Sequence, residues 1–168
     1  MALSPVGDAA TMAQTWQQVA DRHQWVVMAS KEFHNGLAED QFLPQLLERL
    51  AHLITKYPVD PSKIVVTGLS GGGMGSHMFA VGHPRRVRAV VVNTGIIPEP
   101  YKQKDYPKGK VVVFLASPTD FRYAEMKADF EFLRQQRWRT KWIEFEGGHV
   151  LAPAWAYEEA AQWIDTQW

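Results

Sequence analysis

The feature that most constrains the fold of this chain is one short stretch, "KIVVTGLSGGGMGSHMFA", running from Lys63 to Ala80. Ile64, Val65 and Val66 form a β-branched run of the kind that fills a fully buried strand, and Met74, His77, Met78 and Val81 repeat with the i, i+3, i+4, i+7 spacing of a helix face. Between them Gly68, Ser70 and Gly72 make a G-x-S-x-G string. The string alone would arise by chance in roughly one chain in twenty of this length. Its placement between a strand and a helix is what gives it meaning, because a serine on that sharp turn takes strained backbone angles that push Oγ out of the sheet. Gly68 and Gly72 remove the Cβ atoms that would collide as the chain doubles back, and Gly71 leaves room for a substrate beside the backbone. The helix that starts here aims free N–H groups and a positive dipole end at any oxyanion formed next to Ser70.

The rest of the chain is read around that unit. At 168 residues, 46% of them hydrophobic, the sequence has the length and apolar content of a single domain over residues 1–168. Thr11 and Gln14 form a capping box, and Met12, Trp16, Val19, Ala20 and His23 form one apolar-leaning helical stripe. A strand is expected at Trp25–Ala29, followed by a loop containing Asn35-Gly36. From about Asp40 to Tyr57, Phe42, Leu46, Leu47, Leu50, Leu53, Ile54 and Tyr57 repeat with helical period. After the Ser70 unit the pattern predicts strands at 87–93, 110–116 and 141–145, a helix over about 123–137, and a terminal helix opened by Pro153. Five strands alternating with five helices predict the α/β class, with a mostly parallel sheet covered on both faces.

Eighteen basic residues balance eighteen acidic ones, which argues against a nucleic-acid or membrane-surface partner. Arg85, Arg86 and Arg88 read as a solvated loop. No repeat, membrane-length apolar run or signal-peptide pattern is present, and composition carries no information on compartment. There is no cysteine, so disulfides, thiol chemistry and cysteine-based zinc sites are excluded. The six histidines lack paired metal spacing, and no dinucleotide fingerprint occurs, so neither metal nor cofactor is expected.

A serine hydroxyl is a poor nucleophile until a base removes its proton, and the base works best when a third group fixes its tautomer. In an open parallel sheet the ligand crevice lies outside the carboxyl ends of the strands. Two residues occupy such positions: Asp120, just past "VVVFLAS", and His149, just past "KWIEFEGG". Asp120 could instead cap the following helix, with Glu125 or Asp129 as substitutes for the carboxylate. His77 is expected to face inward, and His23, His34, His52 and His83 are assigned no chemistry.

The order Ser70, Asp120, His149 is that of the α/β-hydrolase arrangement. "VTGLSGGGMGS", "SPTDF" and the late "EGGH" before a final helix resemble α/β-hydrolase serine esterases, particularly the group related to feruloyl esterases and polyhydroxybutyrate depolymerases, from about Ser4 to the end. The resemblance implies a three-layer sandwich, with Ser70 as nucleophile, His149 as general acid and base, and Asp120 as the orienting carboxylate. It also implies two oxyanion donors. One is the N–H of Gly71; the other comes from "LSPVGDA", where Pro5 has no N–H and Val6 or Gly7 must serve.

The same resemblance sets two expectations of shortening. The loop "TGIIPEPYKQKDYPKG" is too short to carry a lid domain, which favours polymer-attached or short-acyl small-molecule esters over long-chain lipids, with Tyr101, Tyr106, Phe121 and Trp155 as candidate aromatic surface. In the family a central strand precedes the first helix, whereas only Met1, Ala2 and Leu3 precede Ser4-Pro5. Those three residues are expected to form a stub, with the open edge rearranged or covered by a second chain in a homo-oligomer; a monomer with a loosely paired strand is the alternative. Three functions remain: a serine ester hydrolase, a peptidase or acyltransferase using the same three residues, and a non-catalytic binding module.

Overall fold

A computed structural model describes residues 1–102 and 105–168. Five strands form one sheet in the order β1-β2-β3-β4-β5: β1 (Ala2–Leu3), β2 (Val65–Leu69), β3 (Ala89–Asn93), β4 (Val111–Ala116) and β5 (Arg139–Glu144). Every pair of neighbours is parallel. Five α-helices lie between and after them: α1 (Ala9–His23), α2 (Glu39–Lys56), α3 (Gly71–Gly82), α4 (Tyr123–Gln135) and α5 (Ala154–Asp165).

Alternation along each strand sorts the core into two layers. On one face Leu3, Val66, Val90, Val92, Val112 and Phe114 pack with Phe42, Leu46 and Leu50 of α2, Phe79 of α3, and Met126 and Leu133 of α4. On the other, Ala2, Val65, Val91, Val113 and Ile143 pack with Met12, Trp16 and Val19 of α1 and Ala156, Tyr157, Ala160 and Ile164 of α5. Strands covered on both sides bury every residue, which is why β3 and β4 are continuous apolar runs rather than alternating ones. The architecture is the expected three-layer α/β sandwich.

Three local expectations are corrected. The strand predicted at Trp25–Ala29 is not a regular strand: only Ala29 makes a bridge, with Ala2. The reason lies in its partner. β1 has two residues, so it offers that side little more than the N–H and C=O of Ala2, which bond Met28 O at 2.8 Å and Ser30 N at 3.0 Å. The fifth strand is therefore β1 itself. It pairs with β2 in the register Ala2 to Thr67 and Leu3 to Gly68, and it is inserted between β2 and the 28–30 segment as a fully buried stub. The cap of α1 is Asp8, three residues before Thr11. Its Oδ1 accepts the Thr11 N–H at 3.0 Å and its Oδ2 accepts the Thr11 hydroxyl at 2.6 Å, an arrangement that stabilises a helix by about 1 kcal/mol. Thr11 is thus the donor to a cap, and the aspartate was hidden in what reads as a turn. Finally, β5 starts earlier than expected, at Arg139, because Arg139 N bonds Lys110 O at 2.9 Å and carries the ladder back to the start of β4.

Among its described residues the 94–110 loop contains one short 3-10 turn, Glu99–Tyr101. Residues 103 and 104, inside the stretch read as too short for a lid, lie outside the described residues. No helix among the described residues is long and apolar enough to cross a membrane.

Candidate active site

Ser70 joins β2 to α3 with φ 52° and ψ −115°, a left-handed backbone that costs a non-glycine residue on the order of 1–3 kcal/mol and is held only when its surroundings over-determine it. They do so here. The Ser70 N–H donates to Asn93 O at 2.8 Å and the Ser70 C=O accepts from Met74 N at 3.1 Å. The turn is closed by glycines. A Cβ on Gly68 would lie 2.2 Å from the backbone carbon of Gly72, and one on Gly72 would lie 2.1 Å from Leu3 O. Strand β1 thus packs directly on the start of α3, which requires bare backbone at position 72.

Asp120 follows β4 in the turn 117–120, and its side chain is fully buried. Its Oδ1 accepts the Arg122 N–H at 2.7 Å and its C=O accepts the Tyr123 N–H at 3.0 Å, a turn that leads into α4, whose N-cap is Arg122 and not Asp120. The other carboxylate oxygen faces His149. His149 follows β5 on the turn 146–149, where Gly147 and Gly148 take positive φ of 143° and 75° and Gly148 N donates to Ser117 Oγ at 2.9 Å. The loops after β4 and β5 are therefore bonded to one another below the imidazole.

The structure brings the three residues together. His149 Nδ1 lies 2.8 Å from Asp120 Oδ2, and His149 Nε2 lies 2.8 Å from Ser70 Oγ. A buried carboxylate that accepts at Nδ1 fixes the tautomer with the proton on Nδ1, leaving the Nε2 lone pair to accept the serine O–H. Neither substitute carboxylate takes part: Glu125 is exposed and pairs with Arg122 at 2.9 Å, and Asp129 pairs with Lys102 at 2.7 Å and accepts the Ile97 N–H at 2.6 Å. The Phe121 ring lies tilted against the imidazole with centroids 4.5 Å apart, although the residue is 72% exposed.

The donor side of the site is built differently. Gly71 opens α3, so its N–H has no intrahelical acceptor. In the Ser4–Gly7 loop, Val6 N donates to Ser4 Oγ at 3.2 Å and Gly7 N to Ser4 O at 3.4 Å. Both candidate donors are engaged within their own loop, the longer bond being the Gly7 one, and the Val6 side chain is exposed. Of the four aromatics considered for a binding surface, Phe121 and Trp155 are exposed, Tyr101 is half-buried and Tyr106 is core. His77 is completely buried with neither ring nitrogen bonded; burial, with Lys102 nearby, pushes its pKa down to about 3. Among the described residues no group of three or more His, Asp or Glu side chains could hold a metal ion.

Two residues near the site escape sequence reasoning. Asn35, read only as part of an Asn-Gly loop, lays its carboxamide on the bare face of Gly71: a Cβ there would meet its Oδ1 at 1.8 Å. Asn93, read only as the end of a strand, bonds the loop that follows His149. An Asn-Gly pair and a polar residue closing an apolar run are the only signals for either.

A five-stranded parallel sheet with helices on both faces, and a serine, histidine and aspartate meeting at the carboxyl ends of its strands, defines the α/β-hydrolase class. The Esterase family model, described as "Putative esterase", matches residues 1–166; the chain belongs to this family and is a carboxylic ester hydrolase. Similar solved structures include the Bacillus cereus carboxylesterase, at 18% identity and a TM-score of 0.75 over 100% of this chain and 88% of that one. Esterase PE8 is 16% identical, with a TM-score of 0.78 over 99% and 91%. The S-formylglutathione hydrolase of Staphylococcus aureus is 15% identical, with a TM-score of 0.74 over 99% and 79%. No curated protein matches the chain.

Proposed function

We propose that the chain cleaves esters through an acyl-enzyme on Ser70. The observation that carries this reading is the pair of 2.8 Å bonds linking Ser70 Oγ, His149 and Asp120. As Oγ attacks the ester carbonyl, its proton passes to His149 Nε2, and Asp120 stabilises the imidazolium. The tetrahedral oxyanion is held by the Gly71 N–H and by one donor from the Ser4–Gly7 loop. Val6 or Gly7 takes that role by leaving Ser4 for the stronger, charge-assisted bond to the oxyanion. Collapse expels the alcohol, which takes the proton from Nε2 and leaves the acyl group on Ser70. Water, deprotonated by His149, then releases the acid.

The exposed rings of Phe121 and Trp155 and the short 94–110 loop favour short-acyl or aryl esters and esters attached to a polymer. That is the chemistry of the feruloyl esterase and polyhydroxybutyrate depolymerase-like group which the motifs resemble. A fluorophosphonate probe tests the mechanism: it should add once per chain, at Ser70, and Ser70→Ala should abolish the adduct together with turnover of a short-acyl chromogenic ester. Labelling at another residue, or a folded wild type that ignores the probe, overturns the reading. A peptide substrate run beside the ester separates esterase from peptidase.

A further inference from the structure

Asn93 closes β3 directly beside the Ser70 turn, in register with Leu69 on one side and Leu115 on the other. Its backbone carbonyl accepts the Ser70 N–H at 2.8 Å, so one end of the residue holds the strained serine. Its side chain, only 1% exposed as a residue, reaches the opposite wall. Nδ2 donates to Val150 O at 3.0 Å, and Oδ1 accepts from Ala152 N at 2.7 Å and from the Tyr157 hydroxyl at 2.6 Å. The orientation of the carboxamide is not a free choice. A backbone N–H can only donate and a backbone C=O can only accept, so the contacts to Ala152 and Val150 place oxygen and nitrogen unambiguously. Burial raises the Tyr157 hydroxyl well above the ordinary tyrosine range, which keeps it a donor.

We infer that Asn93 is a positioning residue that sets the distance between Ser70 and His149, holding the nucleophile through its main chain and the histidine loop through its side chain. The inference rests on the proposed roles of Ser70 and His149. The geometry explains why asparagine stands there. His149 is anchored from below by Asp120 and by the Gly148–Ser117 bond, but along the chain the next residues after it are held at Val150 and Ala152, and both are held by this one carboxamide. An apolar residue at 93 would leave the Ala152 N–H and the Tyr157 hydroxyl without partners in the interior and release the part-buried Val150 carbonyl. An aspartate would keep the two accepted bonds and set an oxygen against the Val150 carbonyl in place of the donor. A loop free to shift by about an ångström is enough to cost a reaction on the order of a hundredfold when reacting groups must stay in bonding distance.

The test uses Asn93→Ala and Asn93→Asp, with wild type and Ser70→Ala as references, and reads three quantities: the second-order rate of fluorophosphonate labelling at Ser70, kcat and KM for a short-acyl chromogenic ester, and the pH dependence of kcat/KM. Folding is checked by circular dichroism. The expected result for Asn93→Asp is a labelling rate and kcat lower by roughly 10- to 100-fold, KM within about twofold of wild type, and a displaced acid limb of the pH profile. Asn93→Ala should show at least as large a loss at a temperature where it is folded. If Asn93→Ala does not fold, Asn93→Asp alone decides. A folded Asn93→Asp that labels at the wild-type rate with an unchanged pH profile, even if it melts earlier, overturns the positioning role and leaves Asn93 as a packing residue. Failure of the underlying mechanism looks different: the wild type itself would not label at Ser70.

Discussion

The two sides of the active site are held by unlike parts of the sheet. Ser70, Asp120 and His149 stand at the ends of β2, β4 and β5, strands of five or six residues in continuous register with their neighbours. The loops that carry the three residues are bonded to each other through Asn93, Ser117 and Gly148. The donor loop 4–7 instead follows β1, a strand of two residues, and its N–H groups bond only within the loop. One side is fixed by hydrogen bonds that tie its catalytic loops to one another; the other is held by the bond from Asn35 N to Pro5 O at 2.8 Å, by the bonds of Ala2 to Met28 and Ser30, and by the packing of Ala2 and Leu3 against the start of α3. Proton transfer needs the first kind of support, since a hydrogen bond between acid and base tolerates little displacement. An oxyanion donor can be recruited as charge develops, so its loop can rest in a local hydrogen bond until then.

The comparison is broken most severely on the relay side. His149→Ala should lower ester turnover by about four orders of magnitude or more, because the three residues act as a unit, with little change in melting temperature, since the imidazole is half-buried. Steady-state kinetics beside a thermal melt checks both halves, and activity within tenfold of wild type would exclude the relay. On the donor side, Val6→Pro removes one N–H, and a thermal melt beside the kinetics checks that the Ser4–Gly7 turn survives. If Val6 is the donor, kcat should fall by roughly 10²- to 10³-fold with fluorophosphonate labelling lost in parallel; unchanged kcat assigns the role to Gly7.

The smallest effect sharpens the contrast through stability. His77 lies on α3, the helix that follows the nucleophile, and is neutral in the folded protein with its pKa pushed down to about 3, against about 6.5 when unfolded. The unfolded chain therefore binds more protons between those values. Stability from this source is complete above about pH 6.5 and is lost as pH falls toward 3, by several kcal/mol at most. His77→Leu should flatten that part of the stability curve in chemical denaturation across pH 4 to 7. An equal slope in the variant would move the acid sensitivity elsewhere.

Sequence legibility follows the same division. β2, β3 and β4 are legible because strands buried on both faces must be apolar throughout, and the Ser70 turn because only glycine tolerates the approach of Gly68 to Gly72. Asp120 and His149 are legible because chain order places them at strand ends. Trp25–Ala29 looks like a strand, yet pairing is a property of two segments, and its partner has only two residues to offer. Asn35 and Asn93 are illegible for a related reason: a carboxamide takes its meaning from what folds against it, and nothing local distinguishes the buried bridging Asn93, or the exposed Asn35 lying on Gly71, from any other asparagine in a turn.

The position of β1 also orders events in time. Beyond the single bridge to the 28–30 segment, its strand partner β2 lies some sixty residues further on, the Met1 amine reaching Val65 O across 64 positions, whereas β2 to β5 follow one another in sequence. Closing so long a loop gives back nothing until β2 exists to receive it. As the chain leaves the ribosome, β1 is made before β2 and has to wait for it, and refolding from denaturant faces the same delay. The serine and its histidine can therefore be assembled before the donor loop that follows β1 is in place, and a lag of both labelling and ester turnover behind the recovery of sheet structure in a refolding experiment would be the kinetic imprint of a two-residue strand.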